Sequence, residues 1–313
     1  MAIHFAQNGY DRCSLQRQRQ LLLKKSVENG SALFLFIFDG KVGTRKTHEG
    51  FEAAFIETST VLTAYRNKLT GSFLGEVGGM PVFGIRCDEH PDGILSSDCG
   101  DLFFMELKQV TPYLSKMHAS IIGYAVAMIH WHRNHQFCGV CGNPTESNES
   151  GHVLQCTNRD CNKKTFPRTD PAVIALVHNG ESCLLGRQRG WPDRLYSTIA
   201  GFVEPGESPE QAVYREVYEE TGTLVRNVQY FASQPWPFPA SLMLGFTACW
   251  DTGLISMKDN ELQDARWYSR DELAEWIPNG KIQMPNRISI AWKLIEHWFN
   301  ESSTVKFHEV CGE

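Results

Sequence analysis

The segment Gly201-Phe-Val-Glu-Pro-Gly-Glu207-Ser-Pro-Glu-Gln-Ala-Val-Tyr-Arg215-Glu216-Val-Tyr-Glu219-Glu220-Thr-Gly222 decides how this chain is read. Local rules build it as a loop, a helix and a stop. Ser208 is a good N-cap, because its hydroxyl can accept from an N–H of the first turn. Gln211, three residues on, completes a capping box. Pro209 suits the first helical turn, where its missing N–H costs nothing, and Gly222 suits the left-handed residue that ends a helix. The helix is therefore expected over about 209–221. On it Glu216 and Glu220 stand four apart and Glu219 three from Glu216, so all three carboxylates project from nearly one face. An acidic face of this kind is common on solvated helices. The same oxygen-rich cluster also suits Mg²⁺ or Mn²⁺, which bridge carboxylates to substrate phosphates. Arg215, four before Glu219, can pair with it and hold the cluster in one arrangement. Val213 and Val217 form the apolar stripe that seats the helix.

Upstream lies a second cluster, Cys138-x-x-Cys141 followed after fourteen residues by Cys156-x4-Cys161. Four thiolates in two close pairs match tetrahedral Zn²⁺, and Gly139 and Gly142 allow the tight turn that aims the first pair at one metal. With all four positions filled by sulfur, no place is open for water, so one structural zinc per chain is expected. The competing readings are ordinary buried cysteines or a redox couple at Cys138 and Cys141, and the paired spacing disfavours both. Lys163, Lys164 and Arg168 follow the ribbon but make a thin basic patch for gripping nucleic acid. The other six cysteines, among them Cys87, Cys183 and Cys249, read as core or surface thiols.

Downstream, Ser233-Gln-Pro-Trp-Pro-Phe-Pro-Ala-Ser241 places three prolines in five positions and so fixes an extended, rigid loop. Trp236 and Phe238 offer planar apolar surfaces, and Gln234 and Ser241 can hydrogen-bond polar groups. The plain alternative is a proline-stiffened connection whose aromatics pack in the core.

The chain has 313 residues, 42% hydrophobic and 21% charged, with a net charge of −6, an ordinary balance for a globular protein of two domains or two plus a small module. An acidic surplus argues against gripping nucleic acid by bulk charge but not against a nucleotide whose phosphates meet a bound cation. No apolar run approaches a bilayer span, and Leu33–Phe38 reads as a buried strand. No secretory pattern is present, so the cysteines are not expected to form a disulfide framework. The basic start (Arg12, Arg17, Arg19, Lys24, Lys25) is read as an amphipathic helix ahead of a mitochondrial presequence, and the final Cys311-Gly312-Glu313 does not resemble a peroxisomal signal. An intracellular setting is expected, the cytoplasm ahead of either organelle, with no membrane partner.

Residues 1–120 mix short apolar runs with turn signals and carry no chemical motif, which suggests an α/β or α+β domain. A connecting helix is expected about Ile121–Trp131. Beyond Pro171, strand candidates at Ala172–Val177, Leu184–Leu185, Tyr196–Ile199 and Met243–Trp250 alternate irregularly with helices, the last near Ile288–Phe299. That pattern fits an α/β class with a mixed sheet covered by helices. Three parts are expected: 1–130 with the connecting helix, 131–168 as a zinc ribbon, and 169–313. No internal repeat is evident.

Taken whole, G-x5-E-x7-R-E-V-x-E-E-x-G resembles the Nudix box at every fixed position, although Thr223 stands where an aliphatic residue is usual. Ser233–Ser241 closely resembles the SQPWPFPxS signature of the NADH pyrophosphatase family, and the likeness runs from about 121 to 299. The resemblance implies a Nudix α/β/α sandwich and a metal-dependent hydrolase that cuts the pyrophosphate of NADH or NAD⁺ to NMN(H) and AMP. Removal of an NAD cap from RNA would break the same bond. It implies Glu216, Glu219 and Glu220 as catalytic and metal-binding (Mg²⁺ or Mn²⁺), joined by the carbonyl of Ala200 and by Glu261, with Glu207 bracing the loop. Substrate contacts carried over are Phe166, Ala200, Gly201, Phe202, Gln234, Pro235, Trp236, Pro237, Phe238, Pro239, Ala240, Ser241 and Ala291, with adenine stacked between aromatics. A homodimer is implied as well. The alternatives are a Nudix enzyme for ADP-sugars or other dinucleotides, or a non-catalytic zinc-ribbon/Nudix binding protein; the intact Arg215 and glutamates argue against the second.

Overall fold

The computed structural model describes residues 3–6, 9–18, 20–66, 71–257 and 261–312. The chain divides into two compact units, Ala2–Thr169 with Trp236–Ala240, and Asp170–Pro235 with Ser241–Glu313.

In the first unit, helix α1 (Gln20–Glu28) leads into β1 (Leu33–Phe38), the expected apolar strand. β2 (Lys41–Thr47), β3 (Gly50–Ala53), β4 (Ile56–Glu57), the short α2 (Thr63–Arg66), β5 (Gly71–Val77), β6 (Met80–Cys87) and β7 (Phe103–Met105) follow. The sheet order is β3-β2-β1-β6-β5, with β4 pairing β1 and β7 pairing β2. β1 and β6 run parallel, while β1–β2, β1–β4, β2–β7 and β5–β6 are antiparallel. A strand enclosed on both faces needs apolar residues at odd and even positions alike, which is why β1 reads LFLFIF without alternation. Phe34 meets Phe36 and Phe83 edge-on at ring separations of 6.1 and 6.2 Å, near the centre of this core.

After the short α3 (Leu107–Val110), helix α4 (Lys116–Asn134) starts at the N-cap Ser115 and packs on the sheet. Gly84 of β6 permits the approach, since a Cβ there would stand 3.1 Å from the Cβ of Ala125. The far end of α4 supports a three-stranded sheet of β8 (Thr145–Asn148), β9 (Val153–Cys156) and β10 (Lys164–Thr165), through a small core of Met128, Trp131 and Leu154. The boundary expected at 130 falls inside α4, because one helix serves both neighbours. His152 lies buried beside it, with Nε2 2.7 Å from the Phe73 carbonyl oxygen and Nδ1 3.4 Å from the Tyr124 hydroxyl. Arg17 donates to that hydroxyl at 3.3 Å, and Arg12 covers the Tyr124 ring at 4.5 Å. Burial, backed by Arg17 and Arg12, lowers the His152 pKa to about 4.

The second unit contains β11 (Asp170–His178), β12 (Ser182–Gln188), β13 (Ile199–Phe202), α5 (Pro209–Thr221), β14 (Leu224–Trp236), β15 (Ser241–Thr252) and β16 (Leu262–Ser269), then α6 (Arg270–Trp276), α7 (Ile290–Ser302) and α8 (Phe307–Val310). The order is β14-β15-β11-β12-β16, with β13 pairing β11; β11 and β15 are parallel, and β11–β12, β11–β13 and β12–β16 antiparallel. Val173, Ala175 and Val177 of β11 face Val213 and Val217 of α5 in one core. Fully burying such a valine is worth roughly 1.5–3 kcal/mol. On the opposite face, Gly245 (register partner of Ile174) lies so close to α7 that a Cβ would come within 2.6 Å of Ile290. The unit is thus an α/β/α sandwich on a mixed sheet, as expected.

The two sheets share one plan, although no repeat is evident in the sequence. In each, a parallel central pair (β1 with β6, β11 with β15) joins a hairpin partner (β2, β12), a short strand on the first (β4, β13), a neighbour on the second (β5, β14) and a late strand on the hairpin partner (β7, β16). In each, a helix links the short strand to the next, α2 in one and α5 in the other. Fold repeats without sequence repeats when only burial pattern is shared, so residue identities need not show it. Among the described residues, no helix is long and apolar enough to cross a membrane.

Candidate active site

Helix α5 begins and ends as its sequence requires. The Ser208 hydroxyl accepts from the Gln211 N–H at 3.3 Å, and Gln211 Oε1 accepts from the Ser208 N–H at 2.8 Å. Gly222 adopts φ 70°, its N–H meets the Tyr218 carbonyl at 2.8 Å, and a Cβ would crowd the Ser256 carbonyl at 2.9 Å. The departure at Thr223 is absorbed locally. Its buried hydroxyl lies 2.8 Å from that of Thr221, which donates onward to the Val217 carbonyl at 2.5 Å, so no buried hydroxyl is wasted.

With Val213 and Val217 fixed in the core, the three carboxylates are graded in exposure. Glu220 is 1% exposed, the Glu216 side chain 12% and the Glu219 side chain 49%. Arg215 ties helix to loop: Nη1 donates to Glu216 at 2.8 Å and Glu219 at 3.0 Å, and Nη2 to Glu207 at 2.6 Å and the Phe202 carbonyl at 2.9 Å. Glu207 also accepts from the Glu204 N–H at 2.8 Å, so it braces the loop. The Arg215 guanidinium, then that N–H, holds the Glu207 carboxyl below the usual range. Burial raises the Glu216 pKa; Arg215 opposes the rise, and the charges of Glu219 and Glu261 add to it. Glu261, exposed just before β16, is therefore within electrostatic reach of Glu216.

β13 supplies the other wall. Pairing with β11 sets Ala200 opposite Ile174 and Gly201 opposite Val173. The Glu216 carboxylate lies so close to Gly201 that a Cβ there would overlap it. The carboxylate is thus seated against the β13 backbone, and carboxylate oxygens are the hard donors that suit a divalent cation. The four ribbon cysteines bring their ligand atoms all within 4.8 Å of one another, and Glu216 and Glu219 share Arg215 Nη1.

In the ribbon, Cys138 and Cys161 sulfurs lie 3.8 Å apart and those of Cys141 and Cys156 3.3 Å. A tetrahedron of ~2.3 Å Zn–S bonds has edges of about 3.8 Å. Gly142, at φ 73°, closes the first knuckle, where its N–H meets the Cys138 carbonyl at 2.9 Å. Backbone N–H groups aim at the first pair. That of Asn143 leads in lowering the Cys141 thiol to about 6, those of Cys141 and Val140 lower Cys138, and burial pushes Cys156 up to about 12. Four inward sulfurs on two knuckles make a closed, structural zinc site.

The remaining expected residues are placed variously. Phe202, 62% exposed, stands at the end of β13, and Phe166, 51% exposed, belongs to the first unit. Gln234 is fully buried; Nε2 donates to the Ile288 carbonyl at 2.6 Å and Oε1 accepts from the Ile290 N–H at 2.7 Å, so its amide secures the start of α7. Ala291 is likewise buried, at 3% exposure in α7. Within the first unit, Trp236 and Phe238 pack edge-on at 4.8 Å, both meet Phe5, and Lys108 covers Phe238 at 4.8 Å. Pro237 is buried, while Pro235 and Pro239 are exposed and Ala240 and Ser241 half-buried. The loop's aromatics accordingly serve packing at least on these faces.

Residues 168–292 match the model of the NUDIX domain, 133–166 the NADH pyrophosphatase zinc ribbon domain, and 11–131 the NADH pyrophosphatase-like rudimentary NUDIX domain. NAD-capped RNA hydrolase NudC of Mycobacterium bovis is 39% identical over 239 residues, which cover 72% of this chain and 74% of that protein. The chain belongs to the Nudix NADH pyrophosphatase family. NAD-capped RNA hydrolase NudC of Mannheimia succiniciproducens is 40% identical over 189 residues, 68% of its length. Human NAD-capped RNA hydrolase NUDT12 is 41% identical over 196 residues, of whose own length only 42% is spanned.

Two features of this family member had no sequence signal. The second Nudix plan in residues 11–131 carries no box, and α2 reads only Thr-Ala-Tyr-Arg. The support of Trp236 and Phe238 by Phe5 and Lys108 joins residues too far apart in sequence for any spacing rule to link.

Proposed function

We propose that this chain hydrolyses the pyrophosphate bond of NADH and NAD⁺, yielding NMN(H) and AMP, and accepts an NAD cap on RNA as a larger form of the same substrate. The observation that carries this reading is the Glu216 carboxylate seated on Gly201 and fixed by Arg215, in a chain whose relatives are named NAD-capped RNA hydrolases. Glu216, Glu219, Glu220 and Glu261, with the carbonyl of Ala200, would hold Mg²⁺ or Mn²⁺. Such an ion neutralises pyrophosphate oxygens and lowers the pKa of a bound water. In the reaction one water oxygen bonds to phosphorus, the bridging P–O bond breaks, and the leaving phosphate takes the electron pair. Arg215 keeps the carboxylates in register, so little reorganisation is left for the reacting state. The exposed Phe202 ring offers a stacking face for adenine, and the chain works as a homodimer.

Incubation with Mg²⁺ or Mn²⁺ and NADH, NAD⁺, ADP-ribose or NAD-capped RNA, with products resolved, tests the substrate. Cleavage of NADH between its phosphates is expected. An intact NADH beside a cleaved ADP-ribose would sink the assignment.

A further inference from the structure

The first unit contains a cavity of about 760 Å³, bordered by α1, α4, β5, β6 and β8; its lining residues all belong to that unit and the box residues to the other. That size falls within the roughly 300–1,000 Å³ typical of small-molecule sites. Its charge runs against the chain. Lys24, Arg66 and Arg86 line it against a single carboxylate, Asp88, in a protein of net charge −6. Arg66 is already fixed, with Nε donating to the Val61 carbonyl and Nη2 to the Ser59 carbonyl, each at 2.9 Å. A cation held in place by the fold loses little freedom when an anion arrives. Lys24 and Arg86 have exposed side chains, at 70% and 44%; Lys24 stands 3.9 Å from Glu28, and Arg86 pairs at 2.5 Å with Asp88, both pairs being open to solvent. Their charges can therefore turn to a ligand at small cost.

The rest of the lining selects among anions. Half-buried Val27 and Ile129 give an apolar wall, and Ser72 and Ser147 bring hydroxyls. Burial lowers the His132 pKa, and its Nε2 is committed to the Gly151 carbonyl at 2.7 Å. A phosphate for the cations, a flat apolar ring for the wall and sugar hydroxyls for the serines describe a nucleotide. With one carboxylate, the lining lacks the oxygen cluster that pyrophosphate hydrolysis needs. We propose that this cavity binds a nucleoside monophosphate and holds it without cleaving it.

The test uses the full chain and AMP as probe. Equilibrium dialysis should find one AMP more per chain in the wild type than in Lys24→Ala/Arg86→Ala, or binding at that site weaker by about tenfold or more. Inorganic phosphate should compete, adenosine poorly, and NADH turnover should be unchanged in the double variant. Hydrogen exchange gives a second readout that needs no variant: AMP should protect β5 and β6. Unchanged AMP binding in the folded double variant, adenosine competing as well as phosphate, or no protection of β5 and β6 would each overturn the proposal. Because turnover is read separately, a failure of the NADH assignment leaves this outcome distinct.

Discussion

The two sheets of this protein have the same strand plan and opposite chemical content. Between β13 and β14 stands α5, thirteen residues with Glu216, Glu219 and Glu220 on it; between β4 and β5 stands α2, four residues without a carboxylate. The shared plan sets where a helix can enter; the residues on that helix decide whether anything happens there. One copy carries the oxygen cluster and its Arg215 clamp, and the other carries a basic cavity and a zinc ribbon on its final helix.

The largest effect that would break or sharpen this contrast is at the cluster. Glu219→Gln, half exposed and so cheap for the fold, is expected to lower NADH turnover about 10²- to 10³-fold with Tm unchanged. Thr63→Ala at the corresponding helix should leave turnover within about twofold. A fully active Glu219→Gln protein would remove the cluster from the chemistry. Next, Arg215→Ala frees Glu207, Glu216 and Glu219 together, and turnover should fall about tenfold to 10²-fold. Arg215→Lys should recover little of it, because a lysine cannot reproduce the fork.

Cys156→Ser tests the other copy. Zinc measured by atomic absorption should drop from about one per chain to near zero, with lower soluble yield, because structural zinc binding is folding free energy. A soluble, zinc-free and active variant would show the ribbon to be dispensable. The smallest effect is a pH slope. His152 has a folded pKa of about 4 against an ordinary 6.5. The unfolded chain takes up that proton first, so stability is full above the unfolded value and declines as pH falls toward the folded one. The decline amounts to about 3 kcal/mol. Urea unfolding at about pH 7 and about pH 4.5 should show it, and His152→Gln should flatten it.

Sequence showed the box helix almost to the residue, because caps, apolar stripe and charges are all local to 208–222. The four cysteines were legible for the same reason. The part Gln234 plays at the start of α7 was not legible, since a buried amide there looks in sequence like any polar residue beside a binding loop. The repeat of the sheet plan escaped because β1 and β11 share only apolar character, and the described residues of α2 lack the glutamates of α5. Pairings such as Phe5 with Trp236 depend on tertiary contact alone.

Gly201 turns all this into a warning for anyone scoring variants. Its φ is not among the left-handed ones, so the backbone would accept alanine without complaint. A single methyl there would nonetheless evict the Glu216 carboxylate from its seat. The mildest exchange in the alphabet, at a position with no side chain to lose, is thus expected to lower the proposed turnover in a well-folded shell. What this site guards is a void the width of one carbon.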